Sequence, residues 1–255
     1  MKIFSVIGYS QSGKTTTIES IIGELKKRRF TVGSVKNIHC KNFTIDTEGT
    51  NTHRHKMAGS ELVTALSDSE TDVLFPRKLS LNKILGFYDH DYVVLEGVSE
   101  TNAPKIITAH TKEAIDEKLD DTVFAISGRI SNELKEYKGI PVINALENAD
   151  KLVDLIEKTV YERLPEFPED CCDACGYSCR DLGIRILQGK SKREDCLIDN
   201  KDEIIQLFIG NQKVPMVSFV QKILHNAVMG VVSELEGYDK ASDIVIKVGE
   251  NNDLL

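Results

Sequence analysis

No run in the 255 residues approaches the roughly 20 apolar positions that a membrane-spanning helix requires. The apolar stretch at residues 2–7 is too short for a signal peptide and runs straight into a glycine loop, so the cytoplasm is the expected compartment. Basic residues are in the minority. Lys and Arg number 32 against 40 Asp and Glu, a net charge of −8, and such a surface repels phosphate backbones; non-specific nucleic-acid binding is therefore not expected. Internal repeats and low-complexity tracts are absent. Hydrophobic residues at 41% and charged residues at 28% exclude the composition of a disordered chain and allow a sizeable core.

What is present begins at the N-terminus. Residues 2–7 are apolar and β-prone and read as a buried strand. Gly8-Tyr9-Ser10-Gln11-Ser12-Gly13-Lys14-Thr15 follows and fits the P-loop pattern G-x-x-x-x-G-K-[ST] in full. Its glycines let backbone N–H groups converge on one point, where phosphate oxygens sit. The helix opening near Gly13 adds its positive end. Lys14 is expected at the β/γ-phosphates and Thr15 on Mg²⁺. The expected nucleotide-binding set is Gly8, Ser10, Gln11, Ser12, Gly13, Lys14, Thr15 and Thr16. An Asn-Lys-x-Asp guanine signature is missing, so the pattern leaves GTP and ATP both open.

Ile18, Ile21, Ile22 and Leu25 recur at helical spacing after the loop, and residues 31–36 read as a second strand. Strand, loop, helix, strand is a βα unit that leads to a parallel sheet. Further strands are expected at 61–66, 92–95, 105–109, 122–126 and, more weakly, 141–144, with a helix over 146–161. Prolines at 165 and 168 mark a boundary. The expected fold class is α/β: a P-loop NTPase with a mostly parallel sheet over 1–162, a small Cys-rich metal module over 163–200, and an α+β tail over 201–255. In the tail, an apolar run at 204–209 precedes a turn at Asn211-Gln212. A helix from near Pro215, with an apolar face meant for a core, and a strand near 244–248 complete it.

Two carboxylates are candidates for the catalytic metal site. Glu96 ends the apolar strand at 92–95, and the carboxyl end of a parallel strand faces the ligand crevice; the alternative is a side chain turned to solvent. Asp46 lies in the polar segment 37–58, with an Asx-turn or helix cap as its alternative. His39, His53 and His55 share that segment. His53 and His55 are two apart and point to different faces, so one metal held by both is not expected.

Five of the six cysteines fall between positions 171 and 196. Clustered cysteines in a reducing compartment point to metal rather than disulfides. Cys172, Cys175, Cys179 and Cys196 have a ligand spacing that suits a [4Fe–4S] cluster, with zinc or free buried thiols as the alternatives and Cys171 as a spare or alternative ligand.

The N-terminal motifs together resemble the molybdopterin-guanine dinucleotide biosynthesis protein B family. The likeness rests on the P-loop, Val35-Lys36-Asn37-Ile38-His39, Ile45-Asp46-x-x-Gly49, Arg54 with Ala58-Gly59-Ser60, Asp91 to Gly97, and Pro104-Lys105-Ile106. It covers residues 1–160. Asn37, Cys40, Thr50-Asn51 and Ser99 depart from the family's usual residues. The stretch from Leu164-Pro165 through Cys172-x-x-Cys175-Gly176 to Cys196 looks like a small iron–sulfur domain. The resemblance implies a homodimeric GTP-binding protein with weak GTPase activity. It would assist a separate molybdopterin guanylyltransferase in attaching GMP to molybdopterin, and molybdenum or tungsten enzymes would use the product. Two other readings stand beside it: a nucleotide-dependent metal-insertion GTPase, and an iron–sulfur scaffold or redox-sensing adapter switched by nucleotide.

Overall fold

The computed structural model describes residues 1–40, 43–165, 175–197, 205–209, 212–214, 216, 218–236, 238 and 244. In chain order the first elements are β1 (Lys2–Gly8), α1 (Lys14–Lys27), β2 (Val32–Lys36), α2 (Asn51–Met57), β3 (Val63–Leu66), β4 (Thr71–Leu74), α3 (Leu81–Leu85), β5 (Tyr92–Glu96), β6 (Lys105–Thr108), α4 (Lys112–Asp116) and β7 (Val123–Ser127). They are followed by β8 (Glu136–Tyr137), β9 (Ile140–Pro141), α5 (Ala149–Thr159), α6 (Cys179–Leu187), β10 (Leu207–Ile209), β11 (Gln212–Val214) and α7 (Ser218–Val232).

The apolar runs become one five-stranded sheet in the order β2-β5-β1-β6-β7, with every pairing parallel. Parallel strands are covered on both faces, which is why these runs are nearly continuous in hydrophobicity. Alternate residues of β1 separate into two layers. Phe4 and Val6 pack with Ile18, Ile21 and Leu25 of α1 and Leu152, Val153 and Ile156 of α5. Ile3 joins Val93, Leu95 and Leu85 on the other face, and Ile7 joins Ile107, Ile115 and Ile126. Burying a side chain of this size contributes about 1.5–3 kcal/mol. Arg28, at the end of α1, bonds Asp154 and Glu157 of α5 at 2.6 and 2.7 Å and sets the two helices side by side.

Some elements differ from the sequence expectations. The helix expected from 146 begins at Ala149, because Asn148 starts it and Leu146 stands 73% exposed. Of the strand expected at 141–144 only Pro141 falls in a strand, β9, although Val142 bridges Ile126 of β7 in parallel. β3 falls within the strand expected at 61–66, whereas its antiparallel partner β4 and helix α3 carry too few periodic apolar residues to be read in advance.

Two compact units emerge, Met1–Asp195 and Cys196–Leu255. The prolines near 165 therefore do not separate them. Arg193 reaches back to the carbonyls of Glu162 and Arg163, both at 2.9 Å, and Leu182 of α6 is buried. These contacts keep α6 in the first unit. In the second unit, β10 and β11 form an antiparallel pair and α7 begins at Ser218 rather than near Pro215. Helix α7 is not the core helix its pattern suggested, since Phe219, Val220, Ile223 and Val231 are all exposed. The strand expected at 244–248 lies, apart from Ile244, outside the described residues. No helix among the described residues is long and apolar enough to cross a membrane.

Candidate functional site

The turn from β1 into α1 is built by residues that tolerate unusual backbone. Gly8 has φ +156° and sits against Thr108 and Ser12, leaving no room for a side chain. Gly13 has φ +99° and caps α1, so the free N–H groups of that helix face outward from the carboxyl end of the sheet. Ser12 is buried. Its hydroxyl donates to the Tyr9 carbonyl at 2.8 Å and shares a 2.7 Å hydrogen bond with the Thr108 hydroxyl. Ser12 thus braces the loop from behind and does not line the cavity.

The other expected nucleotide residues, Gly8, Ser10, Gln11, Gly13, Lys14, Thr15 and Thr16, line one cavity of about 810 Å³. It lies beyond the carboxyl ends of the strands, where α/β sheets bind ligands. Its walls carry Lys14, Lys36, Lys118 and Arg129 against a single carboxylate, Glu96. In a protein of net charge −8 this local excess of cations marks a site for an anion. Lys14 donates to the Gly8 and Tyr9 carbonyls at 3.1 and 2.6 Å. Burial pulls its ammonium below the ordinary lysine value; Glu96 opposes the shift, and Lys36 and Lys118 reinforce it. Lys118 also stacks over the Tyr9 ring at 4.3 Å.

Glu96 comes off the end of β5, next to β1, and this register brings it to the P-loop. The Thr15 hydroxyl donates to its Oε1 at 3.0 Å, and Lys36 pairs with the same oxygen at 3.0 Å. A hydroxyl and a carboxylate oxygen side by side at a phosphate-binding loop are the hard donors that Mg²⁺ takes, together with phosphate and water. The residues present therefore fit that ion.

Asp46 is not brought to this cavity. It accepts hydrogen bonds from Thr52 and Thr50 at 2.8 and 2.9 Å and lies 3.5 Å from Lys56. Burial works against its ionisation, but the Thr52 and Thr50 hydroxyls and the Lys56 charge outweigh that and hold the carboxyl below its usual range. Asp46 thus organises the entry to α2, where Thr50 is the N-cap. His39 lines the cavity, while His53 accepts from the Gly49 N–H at 3.4 Å within α2's own turn.

Cys172 and Cys171 lie outside the described residues. Cys175 stands in a turn and Cys179 opens α6, both partly exposed; Cys196 is buried and belongs to the second unit. Among the described residues, no group of three or more His, Cys, Asp or Glu side chains is placed to hold a metal ion. The cysteine metal module is therefore not assembled by them.

Lys36, Lys118, Ser127, Gly128, Asn132 and Asn144 also line the cavity and were not expected there. The available signal was positional. Ser127-Gly128 follows the apolar strand at 123–127, and Asn144 follows Val142-Ile143, so both stand at carboxyl ends.

The molybdopterin guanine dinucleotide synthesis protein B family model matches residues 3–128. A molybdopterin-guanine dinucleotide biosynthesis adapter protein of Haemophilus influenzae is 33% identical over 152 residues, covering 55% of this chain and 84% of that protein. A Methanocaldococcus jannaschii protein, provisionally named as such an adapter, is 28% identical over 257 residues, 97% of each chain. The crystal structure of Bacillus subtilis MobB aligns with a TM-score of 0.54 at 24% identity, covering 64% of this chain and all of that one. That last likeness shows the fold. The likeness to the Methanocaldococcus protein extends over the C-terminal third.

Proposed function

The chain belongs to the molybdopterin guanine dinucleotide synthesis protein B family, and on that premise we propose that it is a GTP-binding adapter in molybdopterin-guanine dinucleotide biosynthesis. In this reading it binds GTP with Mg²⁺, hydrolyses it weakly, and assists a separate guanylyltransferase in attaching GMP to molybdopterin. The observation that carries it is the pairing of Thr15 with Glu96 at 3.0 Å in the wall of a lysine-lined cavity behind a complete P-loop.

The residues divide the work by position. The N–H groups of Gly8 to Lys14 and the start of α1 hold the phosphate chain. Lys14, released from the Gly8 and Tyr9 carbonyls, turns to the β/γ-phosphates, since a charged acceptor binds an ammonium more strongly than a neutral carbonyl does. Thr15 and Glu96 would hold Mg²⁺, which would supply charge neutralisation at the phosphates. Lys36 keeps Glu96 oriented. Asp46 acts on the arrangement of α2 rather than on the phosphates.

Two finer parts of the proposal rest on other observations. Homodimer formation is supported by the apolar residues Leu62, Leu66 and Val73, which stand exposed on and beside the β3–β4 hairpin. Binding of a [4Fe–4S] cluster by Cys172, Cys175, Cys179 and Cys196, with zinc as the alternative, is supported by their spacing and by the partial exposure of Cys175 and Cys179.

Calorimetric titration with GTP and Mg²⁺ tests the core of the proposal. Lys14→Ala leaves phosphate charge unpaired, at a cost of about 2 kcal/mol or more, so affinity falls about 30-fold or more. Thr15→Ala lowers affinity chiefly when Mg²⁺ is present. An unchanged dissociation constant in Lys14→Ala overturns the assignment.

A further inference from the structure

The cavity is longer than a phosphate chain needs. From the P-loop it continues past the carboxyl end of β7 to Asn132 on one side and to Asn144, Ala145 and Leu146 on the other. With the phosphates fixed at Lys14 and Thr15, the base of the nucleotide occupies this far end. Leu146, 73% exposed, offers an apolar surface there on which a purine can lie.

We propose that Asn132 and Asn144 form a donor edge that reads O6 and N7 of guanine and rejects adenine. The proposal rests on the reading of this cavity as a nucleotide site and adds the residues that choose the base.

A backbone group decides the direction of both amides. The Leu146 N–H lies 3.0 Å from Asn144 Oδ1, and a donor accepts only an oxygen there, so the Asn144 amide is oriented with its nitrogen outward. That nitrogen donates to Asn132 Oδ1 at 2.8 Å. Asn132 must then present its own nitrogen on the side away from Asn144. Asn132 Oδ1 already accepts from Asn144, and Asn144 Oδ1 from the Leu146 N–H. The unspent hydrogens among the described residues are both on Asn132 Nδ2 and one on Asn144 Nδ2.

Guanine carries two adjacent acceptors, O6 and N7, whereas adenine carries the N6 amino donor beside N7. A donor edge satisfies guanine and sets N–H against N–H with adenine, leaving donors that the bound base shields from water unmatched. A two-pronged grip on guanine's N1 and N2 donors is what a carboxylate supplies. Glu96 is the sole carboxylate among the cavity's described lining, and it is held at the phosphate end by Thr15 and Lys36. Ser127 adds weight. Its hydroxyl is fully buried in the same wall with no hydrogen-bond partner among the described residues, a state expected where a bound group completes the bonding.

The test is competition of GTP, ITP and ATP against a fluorescent guanine nucleotide, on the full chain and on Asn132→Asp. Aspartate keeps an oxygen for the Asn144 donor and exchanges the outward NH₂ for an acceptor. The wild type is expected to prefer GTP over ATP and to bind ITP as tightly as GTP, because hypoxanthine keeps O6 and N7 and lacks only the 2-amino group. In Asn132→Asp the GTP-to-ATP affinity ratio falls about tenfold or more, and ITP follows GTP. Asn132 is exposed, so the variant's melting curve should match the wild type. An unchanged ratio in the variant, equal binding of GTP and ATP by the wild type, or ITP bound as weakly as ATP would each overturn the base edge while leaving the P-loop site standing. A wild type that binds none of the three overturns the nucleotide reading itself.

Discussion

Replacing Gly128 with alanine probes the contact that presses the end of β7 against the back of the P-loop. Gly128 has φ +80° and ψ −160°, a region that side chains other than glycine enter at about 1–3 kcal/mol. A Cβ there would also fall well inside van der Waals contact distance of the Ser12 carbonyl oxygen, and lie 3.0 Å from the Ala109 nitrogen and 3.1 Å from the Thr108 Cβ. Two of these three are backbone atoms of packed elements and cannot swing aside, and such overpacking costs about 1–3 kcal/mol more. The expected destabilisation is about 2–6 kcal/mol, the sum of the two effects. Gly23 is the matched control. It lies in α1 with ordinary φ and nothing within 4 Å of a new Cβ, so Gly23→Ala should stabilise by about 0.5–1 kcal/mol. Urea unfolding followed by circular dichroism measures both, with the slope held to the wild-type value. Because the clash falls on Ser12, Gly128→Ala should also weaken GTP binding, and Gly23→Ala should not. A Gly128→Ala midpoint at or above the wild type, with Gly23→Ala behaving as stated, would show that the β7 contact does not hold the loop.

Two further outcomes are expected. Glu96→Gln keeps an oxygen for the Thr15 hydroxyl but loses the charge that faces Mg²⁺ and Lys36, so single-turnover GTP hydrolysis should slow by about 10- to 100-fold with most nucleotide affinity retained; Asp46→Asn, acting on α2, should slow it less, and wild-type rates in both would remove Glu96 from the metal site. For the cysteines, anaerobic purification should give brown protein with about four irons per chain. Serine at Cys172, Cys175, Cys179 or Cys196 should abolish the colour, and at Cys171 should not; colourless protein with one stoichiometric zinc would replace the cluster with a structural site.

Local chemistry was enough to read much of this protein from its sequence. The P-loop is contiguous, so the backbone freedom of Gly8 and Gly13 and the charge of Lys14 act within a few residues of one another. The apolar runs that became β1, β5, β6 and β7 were legible because a parallel sheet covered on both faces demands them. Glu96 was legible because it ends such a run. Other features depend on residues far apart in the chain, which periodicity cannot bring together. The hydroxyl of Thr15 meets Glu96 across 81 positions only because β1 and β5 are neighbours in the sheet. Gly128 reaches Ser12 only because β7 lies two strands from β1. Asp46, in the same polar segment as His39, is drawn away from the cavity by the hydroxyls of Thr50 and Thr52, since a carboxylate takes the nearest donors. The Asn132–Asn144 pair depends on the chain at Val142 returning beside Ile126, a pairing that no motif records. Short-range order thus decided the shape of the P-loop, and the strand order decided which carboxylate and which amides share its cavity.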